Sequence, residues 1–169
     1  MRLSVSGLAA LALSSCAGPE APALSPRLLA VEDWSVFAEA DPRGRLCWIA
    51  AEPVISAFEP AGEAAGRGRV LLMTAFPAGS VEPEVSYMAG WPLGGGATLT
   101  VDGASYALFP RGATAWVHDP RRELDLIDDL RRGRVATARS VSSEGRAAID
   151  RFSLAGYDEA LQEAARRCV

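Results

Sequence analysis

The sequence predicts a mainly β fold: an antiparallel β-sandwich or barrel-like sheet with two helices, the last at the C-terminus, α+β by content. Three observations carry this. Short β-prone runs recur between Trp34 and Trp116 with Gly, Pro and Asp turn signals between them, a pattern of antiparallel strands rather than βαβ units. Asp119-Pro120 then opens a helical stretch, Asp as cap and Pro as a first residue already set for the turn. Finally, Tyr157, Leu161, Ala164 and Cys168 fall on one face of a terminal helix, because their spacing follows the helical repeat.

The elements follow in order. Trp34–Ala38 and Leu46–Ala50 read as strands joined by the turn Asp41-Pro42-Arg43-Gly44. Strand alternation puts Cys47, Ile49 and Ala51 on one face and Leu46, Trp48 and Ala50 on the other. Residues 60–68 read as a flexible loop. Arg69–Phe76 is mostly apolar, as a central strand covered on both faces requires, and Glu84–Ala89 is a further strand. Ala97–Val101 and Ser105–Phe109 flank Asp102-Gly103, a tight hairpin turn. Ala115–Val117 reads as a short further strand or an edge segment. In the first helix Leu124, Ile127 and Leu130 are expected to face inward, with Arg131 and Arg132 at the negative end of the dipole and Gly133 as the stop. Arg134–Val141 and Ala147–Phe152 form a hairpin about Ser143-Glu144-Gly145.

The chain has 169 residues, enough for one domain. Its 17 basic residues are all Arg, against 21 acids, and its single histidine is His118. A pI near 5.1 opposes nucleic-acid binding, which needs a basic face. The absence of lysine removes P-loop, Schiff-base and lysine-base chemistry. No cofactor and no metal are expected.

The N-terminal segment sets the expected compartment. Arg2 precedes an uncharged apolar run, Leu3–Leu13. About 11 residues are too few to span a bilayer, which takes roughly 20, but they suit a secretory signal. Leu13-Ser14-Ser15-Cys16 has the form of a lipobox, making Cys16 the lipidation site. Ala21-Pro22-Ala23 offers a rival cleavage site for release of a soluble protein. The expected organisation is residues 1–15 as signal peptide, 16–30 as lipid anchor and tether containing Pro19, Pro22 and Pro26, and 31–169 as a single β-rich domain. If Cys16 carries lipid, an even pair remains. In an oxidising periplasm Cys47 and Cys168 are expected to form a disulfide, the alternative being two separate buried thiols.

Residues 33–168 resemble the invasion-associated locus B family of exported bacterial proteins, in its short alphaproteobacterial type. The resemblance rests on ordered segments: Trp34-Ser35-Val36 ahead of Cys47-Trp48, the stretch Glu84–Trp116, Leu130–Arg134, Asp150–Leu161, and Arg167-Cys168. It implies a periplasmic or surface β-rich domain with a C-terminal helix, and no established catalytic residues or cofactor. The lipobox-like start is read from this chain's own residues.

Several groups invite chemistry and have simpler readings. His118 beside Asp119 suggests part of a triad with Ser153 or another serine as nucleophile, but no G-x-S-x-G elbow is present and Asp119 serves as the cap. Gly94-Gly95-Gly96 is followed by a strand-like run and not by the helix a phosphate loop needs. Glu123, Asp125, Asp128 and Asp129 interleave with arginines, which favours intrahelical pairing over cation binding. Trp91, between Gly90 and Pro92, is the aromatic best placed for recognition, so Trp91, Pro92 and Gly94–Gly96 form the candidate recognition surface. The expected function is a non-enzymatic envelope or surface protein. It is attached to the membrane through its lipid and binds or stabilises an envelope or host-surface partner. The alternatives are an envelope hydrolase with a Ser/His118/acid pocket and a small-ligand carrier.

Overall fold

The computed structural model describes residues 27–59, 61–62 and 66–168. The expected signal peptide, Cys16 and the tether as far as Pro26 lie outside these residues. Among the described residues eleven strands and two helices follow one another: β1 Arg27–Val31, β2 Trp34–Asp41, β3 Gly44–Ala51, β4 Ile55–Glu59, β5 Leu71–Phe76, β6 Glu84–Met88, β7 Ala97–Val101, β8 Ala104–Arg111, β9 Thr114–Trp116, α1 Pro120–Arg132, β10 Val135–Val141, β11 Ala147–Ser153 and α2 Tyr157–Cys168. Two strands differ from the sequence reading. β1 occupies the last residues assigned to the tether and pairs with β2, so the sheet includes residues ahead of Val31. β4, which the sequence reading passed over, pairs with β11.

The strands form one open antiparallel sheet in the order β1-β2-β3-β5-β6-β9-β8-β7-β10-β11-β4. β8 turns the corner. Its first half, Ala104–Leu108, pairs with β7, and Phe109–Arg111 pair with β9. The two halves fold over and meet through side chains: Tyr87 of β6 packs edge-on against Phe152 of β11, centroids 6.3 Å apart. At the β7–β8 hairpin both Asp102 (φ 44) and Gly103 (φ 101) are left-handed, the geometry a two-residue turn imposes.

The core follows strand parity. Val36, Cys47, Ile49, Ala51, Leu72, Phe76, Val85 and Tyr87 are buried from one half, and Leu99, Val101, Ala136, Ala138, Ala148 and Phe152 from the other. Each fully buried Val, Leu, Ile or Phe contributes about 1.5–3 kcal/mol by transfer. β5 lies between β3 and β6, with Leu72, Thr74 and Phe76 buried and Met73 and Ala75 half-buried on its outer side.

α2 lies against β2 and β3, burying Tyr157, Ala160, Leu161 and Ala164. Tyr157 meets Trp34 edge-on at 4.9 Å and shares a hydrogen bond with Thr74 (3.0 Å). The helix ends in the expected clasp: Cys168 is disulfide-bonded to Cys47 of β3, Cα atoms 5.9 Å apart. In α1 the cap is as read, with Arg121 N–H donating to Asp119 Oδ1 at 2.9 Å. The buried stripe is Leu126, Ile127 and Leu130, while Leu124 is 59% exposed. Two successive steps of three residues swing Leu124 out of the stripe, whereas Leu126 and Leu130 are four apart and stack. Gly133 ends the helix at φ −77, which any residue adopts. Glycine is needed there for space, since a Cβ would stand 2.7 Å from Val101 Cγ1.

Candidate functional site

The segment singled out in the sequence is only partly a surface. Pro92, Gly94, Gly95 and Gly96 are exposed, but Trp91 is 5% exposed. Two guanidiniums lie over its indole, Arg67 at 4.5 Å and Arg146 at 5.3 Å from its centroid, with Phe58 edge-on at 6.2 Å. A Trp in a Gly-Pro context reads as exposed, but the arginines that cover it lie 24 positions before and 55 after it in sequence. Cation–π attraction, about 2 kcal/mol when desolvated, holds it in place. Trp91 therefore belongs to the interior. The backbone around it is pinned as well. Ser143 N–H donates to Pro92 O (2.8 Å) and Gly94 N–H to Val141 O (3.0 Å). Gly90 sits at φ +78 against the Gly68 backbone, where a Cβ would meet Gly68 O at 2.5 Å.

Arg67 leads to a buried polar cluster that sequence reasoning missed. Its side chain is 4% exposed and pairs with Asp150 of β11, which is fully enclosed. Arg67 Nη1 and Nη2 donate to Asp150 Oδ1 (2.9 Å) and Oδ2 (2.5 Å). Ser56 Oγ donates to Oδ1 (2.6 Å) and Tyr87 OH to Oδ2 (2.5 Å). The single phenolic proton thus goes to Asp150, so Ser140 Oγ, 3.2 Å away, donates to Tyr87 OH. Arg67 Nε donates to Ala89 O (2.8 Å). Burial and the Asp150 carboxylate hold the Tyr87 phenol far above its ordinary range. The cluster joins β4, β6, β10, β11 and the 66–68 segment, and Asp150 already accepts four hydrogen bonds. It is built to hold the two halves together. One signal did mark it: Asp150 stands between Ala148 and Phe152 on the inward face of β11, a charge at apolar parity.

His118 lies on the rim of a cleft of about 380 Å³ with Glu84, Phe109, Arg111, Trp116 and Glu123. Its ring is 5.4 Å from that of Phe109. Burial raises the Glu123 carboxyl above its usual range, against a hydrogen bond from Val85 N–H (2.7 Å) that lowers it. Among the described residues no serine lines this cleft, and Ser153 Oγ accepts from Ala155 N–H (3.2 Å). Three of the four helical acids pair with arginines as read, Asp125 with Arg122 (3.2 Å) and Asp128 and Asp129 with Arg132 (3.8 and 3.4 Å), whereas Glu123 accepts from Val85 N–H instead. Among the described residues, no group of three or more His, Cys, Asp or Glu is placed to hold a metal.

The outward face of β2, β3 and β5 forms a trough of about 340 Å³. Strand parity builds it. Asp33, Ser35 and Phe37 alternate along and just before β2, Trp48, Ala50 and Glu52 along and just after β3, and Arg69 and Leu71 lead into β5. Cross-strand register aligns Arg27, Phe37 and Trp48 in one row and Ser35 and Ala50 in the next. Phe37 and Trp48 stack at 5.2 Å with planes 9° apart. Arg69 Nη2 pairs with Glu52 Oε1 at 2.7 Å on the rim. Among the described residues the side chains of Arg27, Asp33 and Ser35 have no hydrogen-bonding partner.

No family model matches the sequence, and no curated protein matches it. Among solved structures, invasion associated protein B from Bartonella henselae is similar, with a TM-score of 0.58 and 16% identity over 82% of this chain and 94% of that one. The β-rich architecture implied by the sequence resemblance is the one observed, and the chain has the fold of invasion associated protein B.

Proposed function

We propose that the protein is a non-enzymatic, exported binding domain, held at the membrane by lipid on Cys16, that binds or stabilises a partner in the envelope or at a host surface. The observation that supports this reading is the Cys47–Cys168 bridge between β3 and α2. Structural disulfides persist in oxidising compartments and are rare in the cytosol. The likeness to an invasion-associated protein points the same way. Mass spectrometry of the mature protein tests the anchor: acylated Cys16 is expected, and a free N-terminus at Leu24 overturns it. Thiol labelling under non-reducing denaturation is expected to leave Cys47 and Cys168 unmodified. A hydrolase screen against envelope substrates tests the absence of catalysis. Activity abolished by His118→Ala would reverse the reading.

A further inference from the structure

We infer that the trough over β2, β3 and β5 binds a neutral saccharide. This rests on the reading of the chain as a non-catalytic binding domain and names the ligand that such a domain holds. The rim balances Arg27 and Arg69 against Asp33 and Glu52, so the local field favours neither an anion nor a cation. The polar groups left without partners are of three kinds. Arg27 only donates, Asp33 only accepts, and Ser35 does both. A ligand that satisfies all three carries donors and acceptors side by side on an uncharged frame, as neighbouring hydroxyls on a sugar ring do.

The apolar half of the trough suits the same ligand. Phe37 and Trp48 form an aromatic wall beside a low floor of Ser35 and Ala50. A pyranose ring has one face of C–H groups to lay against such a wall, with its hydroxyls directed to the rim. The volume, about 340 Å³, is at the small end of ligand sites, which start near 300 Å³. The wall is also fixed in advance. Trp48 follows Cys47, whose disulfide ties β3 to α2 from the opposite face of the sheet. Such preorganisation lowers the ordering cost of binding.

The test is calorimetric titration of the full chain in detergent. Triacetylchitotriose and maltotriose serve as neutral probes, trigalacturonate as an anionic one and a proline-rich peptide as the protein-like one. Binding of at least one neutral trisaccharide is expected, weakened at least about tenfold in Trp48→Ala and in Ser35→Leu, which fills the floor. Near-UV circular dichroism and an unreactive Cys47–Cys168 pair establish that each variant is folded, and the Ser35 variant decides the matter if the Trp48 variant is not. Three results overturn the site: no binding of either neutral trisaccharide, binding undiminished in the folded variants, or preference for trigalacturonate or the peptide. The broader reading fails separately. Cleavage of a bound trisaccharide would leave the site and remove the claim of no catalysis, whereas absence of saccharide binding beside an acylated Cys16 would do the reverse.

Discussion

The molecule has two polar groupings of opposite character. At the interface between the halves, Asp150 is fully enclosed and accepts from Arg67, Ser56 and Tyr87. On the outer face, Arg27, Asp33 and Ser35 line an open trough without partners among the described residues. The difference separates structure from recognition. A buried polar group left without a partner costs free energy, because bulk water does not reach it. A polar group in an open trough is satisfied by water until a ligand replaces it. A complete internal network therefore marks a fastening, and unpaired groups beside an aromatic wall mark a place for something else.

Breaking the fastening gives the largest expected effect. Asp150→Ala leaves the Arg67 guanidinium buried without its counter-charge, and a loss of about 3–5 kcal/mol is expected by chemical denaturation. A loss under about 1 kcal/mol would mean that the cluster is not what joins the halves. Next is the clasp. Cys47→Ser with Cys168→Ser is expected to lower stability by about 2–4 kcal/mol, read as a shift in denaturation midpoint under oxidising conditions. The same change made in reducing buffer should have no further effect.

How much of this contrast was legible in the sequence depended on which residues were buried. The clasp was readable because Cys168 continues the apolar stripe of α2 and Cys47 has the parity of Ile49 and Ala51. β1 and β4 were not readable, because Val31 is the one buried residue of β1 and β4 has none. Both are edge strands of the sheet, held by backbone pairing to β2 and β11, and such pairing leaves no apolar pattern. The trough shows a related limit. Each strand's outward positions could be listed from parity, but β5 neighbours β3 only because β4 leaves for the far edge. The burial of Trp91 was not readable for the same long-range reason, since its covering arginines come from distant segments.

An intermediate effect comes from the tyrosines. The chain has three, Tyr87, Tyr106 and Tyr157, and burial raises all of them, Tyr106 to about 12 with the help of its hydrogen bond to Asp129. The native state keeps these protons while the unfolded chain loses them near pH 10. Their contribution is thus complete below about pH 10 and declines as pH rises above it. Phenolate absorbance is expected to appear together with loss of near-UV dichroism. Ionisation near pH 10 with dichroism intact would show the rings to be open to water.

The smallest effect is expected on the outer face. Glu52→Gln removes an exposed ion pair with Arg69 and should change stability by no more than about 0.5 kcal/mol. A larger loss would indicate that the rim is part of the fastening, and the contrast between the two groupings would blur.

The position of the clasp also orders events in time. Cys47 belongs to β3, and Cys168 follows 121 residues later, after β11 and at the end of α2. A chain that emerges N-terminus first, from ribosome or translocon, presents Cys47 long before its partner exists outside. Cys168 is delivered only after β10 and β11, and the docking of α2 on β2 and β3 is what brings it beside Cys47. Formation of the bridge is therefore a late event that records completion of the sheet, and an oxidised Cys47–Cys168 pair is a chemical receipt for a finished fold.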